Sequence, residues 1–157
     1  MKRAIFLLAG LLVLASTAMA GGWDRGPWAN PVYRFLTLAY EQSGENTAMT
    51  TTGETVFIPI PEHCAGCVIV DVLGHVAEKG VTGTTTMNVL RKRAGSDVSV
   101  LSTGVTIGDE WYASDGVINT AYDDLAEGDA LAFTVTTIHS GTAPKGGTEV
   151  LTLICPR

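Results

Sequence analysis

The chain has 157 residues, of which 16 are acidic and 10 are basic, so its formal charge at pH 7 is −6. An acidic chain is a poor candidate for binding nucleic acid, because phosphate contacts need clustered lysine and arginine. The one basic cluster, Arg91-Lys92-Arg93, is interpreted as a solvated strand end rather than a polyanion site.

The first twenty residues have the pattern of a secretory signal peptide. Lys2 and Arg3 precede an almost purely apolar run at 4–15, and residues 18–20 (Ala-Met-Ala) form a small-x-small cleavage signal. The apolar run is too short to span a bilayer comfortably, so we expect cleavage rather than an anchor. Removing residues 1–20 would take away two basic and no acidic side chains, changing the formal charge from −6 to −8. The remaining chain is long enough for one domain, 32–157, secreted to an extracellular or periplasmic space where disulfides form.

The segment that follows, Gly21–Pro31, is rich in glycine and proline and has no hydrophobic periodicity. It is predicted to be an extended arm. Trp23 and Trp28 lie in this arm, and large aromatic side chains are costly to leave in water. We therefore expect the arm to pack on the body of the protein or on a neighbouring subunit, which makes it the best candidate for a contact in a homo-oligomer.

Beyond Pro31 the sequence is rich in threonine and valine, and apolar residues alternate with polar ones, as in half-buried strands. Turn signals containing glycine and aspartate separate these runs about every ten residues, which predicts an all-β, antiparallel β-sandwich of jelly-roll type with about eight strands. The predicted strands are Val32–Tyr40, Thr55–Ile60, Cys67–Val76, Thr84–Lys92, Asp97–Thr103, Val117–Tyr122, Ala130–His139 and Thr148–Cys155.

A resemblance points the same way. Residues 66–155 resemble, at the level of strand and turn pattern, a β-sandwich module of bacteriophage virion and appendage proteins. The matching places are Leu101-Ser102-Thr103, Ile107, the Gly128-Asp129 turn and the closing strand. The resemblance implies a β-sandwich architecture and a structural or adhesive role.

The sequence "PEHCAGCVIV" brings His63, Cys64 and Cys67 together before a strongly apolar strand. A c-type haem would need a histidine directly after the second cysteine, where this chain has Val68. A thioredoxin-like couple would need a helix after the pair, and a basic side chain nearby to stabilise the thiolate. The sequence offers neither in this loop.

Two interpretations of the cysteines remain open. His63, Cys64, Cys67 and Cys155 could form a zinc site of the Cys3His type. Alternatively, one cysteine of the pair forms a disulfide with Cys155, closing a long loop; we favour this staple over a local Cys64–Cys67 bridge, which would stabilise little.

Other chemistry is weakly indicated. His75 and His139 end strands without a partner motif, so no catalytic residue is predicted and no enzymatic activity is expected. The loop oxygens of Asp123, Asp124 and Asp129 could bind calcium, although aspartate and glycine are also common turn-forming residues. No other cofactor is predicted.

An aromatic pair is the last candidate site. Trp111 and Tyr112 could bind a glycan or surface polymer. The sequence as a whole predicts a secreted, non-enzymatic, structural or adhesive protein, with a carbohydrate-binding module or a phage virion protein as alternatives.

Overall fold

A computed structural model describes residues 33–51 and 57–156. The predicted signal peptide and the predicted arm, with Trp23 and Trp28, lie outside these residues. The described chain is all-β apart from one 3-10 turn, Glu62–Cys64. No helix among the described residues is long and apolar enough to cross a membrane. The strands are β1 Tyr33–Glu41, β2 Ile58–Pro59, β3 Val68–His75, β4 Thr85–Arg93, β5 Ser96–Ser99, β6 Leu101–Thr103, β7 Val105–Ile107, β8 Tyr112–Ala113, β9 Val117–Ile118, β10 Ala130–Thr137 and β11 Thr148–Pro156.

The long strands form two antiparallel sheets. The first has four strands in the order β1-β11-β3-β8, with β1 paired along its full length to β11. The second has the order β2-β10-β4-β5, and β7 also pairs with β4. A short β6-β9 ribbon completes the pairing. First and last strands of the described chain are therefore neighbours in the same sheet.

One hydrophobic core joins the inner faces of both sheets. In β11 every second residue is buried, so that Leu151 and Leu153 face inward, as expected from the two-residue period of a strand. Met87 and Val89 of β4 belong to the same buried cluster. The ring of Tyr40 in β1 also stacks on the ring of Phe133 in β10, with centroids 5.0 Å apart, and this contact links the two sheets.

A disulfide between Cys67 and Cys155 connects the beginning of β3 to the end of β11, across 88 residues of sequence. This confirms the predicted bridge to Cys155 and identifies Cys67 as its partner. The alternative Cys64–Cys67 bridge is wrong, and Cys64 is a buried free thiol. Because the bridge closes a loop of 88 residues, it restricts the unfolded chain more than the folded one, in which the two strands are already neighbours.

The prediction of about eight strands was too low. The predicted strand Asp97–Thr103 is two strands. Buried Val100 still donates its backbone N–H to the Val89 oxygen of β4, but the Ser99 hydroxyl bonds both the backbone N–H and the backbone oxygen of Leu101. The chain thus leaves β4 and pairs with β9 instead. Two further strands, β7 and β8, lie between the predicted strands Asp97–Thr103 and Val117–Tyr122, where no strand was predicted. The predicted strand Thr55–Ile60 is reduced to β2 in its described part.

Candidate functional site: the outer face of the four-stranded sheet

The side of the first sheet that faces away from the core is unusually apolar. We call it the outer face. Register places residues in cross-strand rows: Tyr33 lies beside Pro156, and Phe35, Ile154 and Val68 form the next row. A bulge between the β3 partners of Thr152 and Leu153 puts one extra residue, Val70, into β3 at this end of the sheet. The outer-face residues are Tyr33, Phe35, Thr37, Ala39 and Glu41 of β1, Thr148, Val150, Thr152, Ile154 and Pro156 of β11, and Val68, Val70, Asp71, Leu73 and His75 of β3.

Several large apolar side chains of this face are exposed. The exposed fraction is 69% for Phe35, 57% for Tyr33, 40% for Val70 and 36% for Val68. Single exposed apolar residues are ordinary on a protein surface, but a contiguous group spanning three neighbouring strands is a candidate interaction surface. The sequence pattern of β1 is fully explained by this placement: its odd positions face outward and its even positions face the core.

Charge is nearly absent from this end of the outer face. Asp71 is the one charged residue among the outer-face residues near the aromatic pair, and its carboxylate accepts a hydrogen bond from the backbone of Val72. Glu41 and His75 lie at the opposite end of the sheet. An interface formed here would therefore bury little charge, which avoids a large desolvation penalty.

β1 is also an edge strand. Its nine residues pair with β11 on one side, and within the described part of the chain no strand pairs with the other side. A long edge with apolar side chains is a natural template for another strand, and proteins that remain monomeric usually protect such an edge. The edge and the outer face adjoin at Tyr33 and Phe35.

The predicted glycan residues lie at the far corner of the same sheet. Tyr112 is paired with His75 and is 62% exposed, and Trp111 is 49% exposed. The ammonium group of Lys79 lies 5.6 Å from the centre of the Trp111 ring, so one face of that ring already has a cationic neighbour. The structure thus keeps this pair exposed and adjacent, and separate from Tyr33 and Phe35.

The cysteine loop is stapled rather than open. Cys64 is buried, and burial raises the pKa of its thiol, while the nearby Arg34 guanidinium acts in the opposite direction. Arg34 also donates to the backbone oxygen of His63. The sequence analysis missed this basic neighbour because it comes from β1, 30 residues away. Since burial is the larger effect, the thiol is protonated at neutral pH and poorly nucleophilic.

The basic cluster is not a solvated strand end, as the sequence had suggested. Arg91 is buried and donates to the Asp124 carboxylate at 2.6 Å and to the Tyr122 backbone oxygen at 3.1 Å. Arg93 forms two hydrogen bonds to the buried Asp129 carboxylate, at 2.7 and 2.8 Å. These arginines hold the loop containing Asp124 and Asp129 against β4 and β10.

The calcium and zinc hypotheses gain no support from these placements. Hydrogen bonds from Arg93 lower the pKa of both Asp124 and Asp129, so both carboxylates are already neutralised by a guanidinium. Cys67 and Cys155, half of the proposed zinc set, are bonded to each other. No group of three or more potential metal ligands comes together among residues 33–51 and 57–156.

His139 is held in place by both ring nitrogens. Nδ1 lies 2.9 Å from the Thr85 hydroxyl and Nε2 lies 3.2 Å from the Gly108 backbone oxygen. The ring packs directly against Gly80, where a Cβ atom would lie 2.5 Å from it. A shallow cavity of about 370 Å³ lies beside it, lined mainly by the 80–83 loop and residues 108–109. This geometry indicates a structural histidine.

Glu149 is a buried carboxyl group that sequence reasoning did not single out. It is fully buried in β11, between Tyr40 of β1 and Gly74 of β3 in the sheet register. Gln42 donates a hydrogen bond of 2.7 Å to Oε2, whereas Oε1 has no partner. Burial raises the pKa of Glu149 to about 8, and the bond from Gln42 opposes this shift.

Comparison with known proteins adds little to this description. No protein family matches the chain, and no curated protein matches it. Among solved structures, it is similar to a chain of the cyanophage Pam1 capsid asymmetric unit, with a TM-score of 0.43 and 15% sequence identity. That match covers 91% of this chain and 100% of the other. With so low a TM-score, the likeness carries no argument about what this chain does.

Proposed function

We propose that the protein is an exported, non-enzymatic β-sandwich of jelly-roll type that assembles with copies of itself through the outer face. The observation that carries the proposal is the apolar surface of Tyr33, Phe35, Val68 and Val70 beside the edge of β1 with which no strand of residues 33–51 and 57–156 pairs. Leaving this surface in water is costly, and contact with a second copy removes it from water.

Charge and composition support a second copy as the occupant. The chain carries a net formal charge of −6, so two copies repel each other at long range. Contact through a surface poor in carboxylates adds the least to this repulsion. The Phe35 end of the outer face is such a surface, with Asp71 as its one nearby charge. Apolar contact between aromatic residues supplies the attraction that the charges oppose.

Three features support a structural rather than a catalytic role. The interior between the sheets is filled by side chains of one hydrophobic cluster. Both ring nitrogens of His139 are engaged in hydrogen bonds. The carboxylates of Asp124 and Asp129 are paired with arginines that tie a loop to the sheets. Each of these groups is engaged in packing, hydrogen bonding or ion pairing within the fold. The apolar side chains of the outer face, in contrast, are exposed to water.

Export is proposed from the residues 1–20 pattern and is consistent with the Cys67–Cys155 disulfide. Disulfides form and persist in extracellular and periplasmic spaces. The N-terminal mass of the protein recovered from a secreting host tests this directly. We expect the chain to begin at Gly21, and a chain that keeps Met1 and remains in the cytoplasm would contradict the proposed location.

Self-association is tested with two matched substitutions of exposed valines. Val70→Asp places a charge on the outer face, and Val117→Asp places the same charge on β9, where the valine is 51% exposed. We expect light scattering to give a multiple of the monomer mass for the unmodified protein and for Val117→Asp, and a monomer for Val70→Asp. A monomeric unmodified protein at all concentrations up to about 100 μM would overturn the proposal, since specific interfaces of standard size bind more tightly than this.

Carbohydrate binding is a second candidate, favoured by the exposed neighbours Trp111 and Tyr112. Sugar rings commonly pack on exposed aromatic faces, and the far corner of the sheet offers two. Glycan-array binding that is lost in Trp111→Ala and kept in Phe35→Ala would establish it. The absence of binding to any glycan would remove it.

A phage virion or appendage subunit is the particular kind of assembly protein that the strand-pattern resemblance of residues 66–155 suggests. The gene's neighbours decide this alternative. Adjacent genes for portal, capsid or tail proteins would support it, and adjacent genes for a secretion or envelope system would oppose it.

A further inference from the structure

We propose that the segment Gly21–Pro31 of one copy docks on the outer face of a second copy, at the end formed by Tyr33 and Phe35. This inference rests on the proposed self-association and names the part of the chain that covers the surface. The occupant is an aromatic, nearly uncharged segment of the same protein rather than the outer face of the partner.

The surface has the size and chemistry for aromatic side chains. The row of Phe35, Ile154 and Val68 crosses three strands, which corresponds to a width of about 10 Å at ~4.8 Å per strand spacing. Tyr33 and Pro156 extend it by one row toward the beginning of β1. A surface of this size accommodates one or two indole rings, and Asp71 is the one charged outer-face residue near it.

The segment supplies aromatic side chains with no net charge, which suits an apolar surface. It contains Trp23 and Trp28 but one acid and one base, Asp24 and Arg25, so its net charge is zero. It is also too short and too rich in glycine and proline to bury two indole rings by itself. Eleven extended residues reach about 36 Å, enough to cross from one subunit to the next.

Local sequence at the junction favours an extended entry into β1. Asn30 precedes Pro31, and a residue before proline is biased toward an extended conformation, while proline fixes its own φ near −65°. The chain enters β1 only two residues later, at Tyr33. We assign the surface that this segment reaches to a neighbouring copy, and the mixing experiment below separates this from docking on the same copy.

Mixing two defective variants tests docking between copies. In one variant the segment is disabled by Trp23→Ala and Trp28→Ala; in the other the surface is disabled by Phe35→Asp. Both are expressed from the full-length chain, and near-UV circular dichroism and thermal unfolding check that each folds; Phe35 is 69% exposed and is not part of the buried core cluster. Each variant alone should show association weakened at least tenfold, as for loss of an aromatic interface anchor.

On mixing, the intact segment of the Phe35→Asp variant meets the intact surface of the tryptophan variant. We therefore expect 1:1 heterodimers in light scattering or native mass spectrometry, bound less tightly than the unmodified protein because they keep one of two contacts. No heterodimer on mixing would overturn docking between copies. A tryptophan variant that associates like the unmodified protein would also overturn it while leaving self-association intact, since the sheets would then meet directly. A monomeric unmodified protein would remove both proposals.

Discussion

Replacing Glu149 with glutamine should change how the stability of the protein depends on pH. Glu149 is fully buried, and Oε1 has no hydrogen-bond partner. Desolvation favours the neutral acid and raises the pKa to about 8, from an ordinary value of 4.5. Among the described residues, no ion pair involves Glu149, so none offsets the cost of burying its charged form.

The sign follows from proton binding. Between pH 4.5 and 8 the folded state keeps the Glu149 proton, whereas the unfolded state has released it. The folded state is therefore favoured most at low pH, and this contribution is lost as the pH rises toward about 8. At about 1.4 kcal/mol for each pH unit, the free energy of unfolding should fall by roughly 3 kcal/mol from pH 5 to pH 8.

Glutamine keeps the carbonyl oxygen that accepts the bond from Gln42 but does not ionise. Urea unfolding of Glu149→Gln, followed by circular dichroism at half-unit pH steps, should give a nearly flat curve over this range. Glu127→Gln, at an exposed turn position, is the control and should keep the slope of the unmodified protein. If Glu149→Gln and the unmodified protein give parallel curves, the carboxyl group is not buried as described.

Three further stability predictions follow from the same core. Cys155→Ala removes the bridge across 88 residues and should lower the free energy of unfolding by about 4 kcal/mol in urea titration; an unchanged midpoint would contradict a disulfide at this position. Asp129→Asn removes the charge of one of the two carboxylate partners of Arg93 and should cost about 2 kcal/mol at pH 7. Because the pKa of Asp129 is lowered in the folded state, that stability is present above pH 4 and is lost on acidification, and the variant should show a shallower acid limb. Gly116→Ala places a methyl group 2.6 and 2.8 Å from two core valines and should lower the thermal midpoint, at a cost of about 1–3 kcal/mol, whereas Gly44→Ala, which meets its nearest neighbour at 3.4 Å, should not.

The all-β character and most long strands could be predicted from the sequence, because alternation of threonine with aliphatic residues directly reflects a sheet with one buried face. Thr148–Cys155 and Thr84–Lys92 agree with β11 and β4 to within one residue at each end. The Cys67–Cys155 bridge was predicted as one of two pairings with Cys155, since strand-end cysteines can meet only if their strands are neighbours. The sequence could not choose between Cys64 and Cys67, because this depends on how the 3-10 turn orients each side chain.

The missed features share a different cause. Met49 lies outside every predicted strand, yet it is buried against Gly147, from another part of the chain. Arg91 and Arg93 look like a solvated basic run until the loop carrying Asp124 folds over them. Glu149 occupies an inward position of an ordinary strand pattern. Each depends on a contact between residues distant in sequence, which hydrophobic periodicity does not encode.

The outer face itself was partly readable. Tyr33 and Phe35 occupy alternate positions of a predicted strand, so their common face follows from the period of two. The sequence does not show that this face is the outer one or that Val68 and Ile154 extend it. Both facts depend on the position of β11 between β1 and β3. The order of strands in a sheet is set by long-range pairing, which one sequence does not specify.

Hydroxyl-radical footprinting of the aromatic residues, as a function of protein concentration, tests most directly whether the outer face is covered in an assembly. Tyr33 and Phe35 should react fully in dilute protein and become protected as the concentration rises, while Trp111 and Tyr112, exposed at the far corner of the sheet, should react equally throughout. Reactivity of Tyr33 and Phe35 that stays high at every concentration would contradict assembly through this surface.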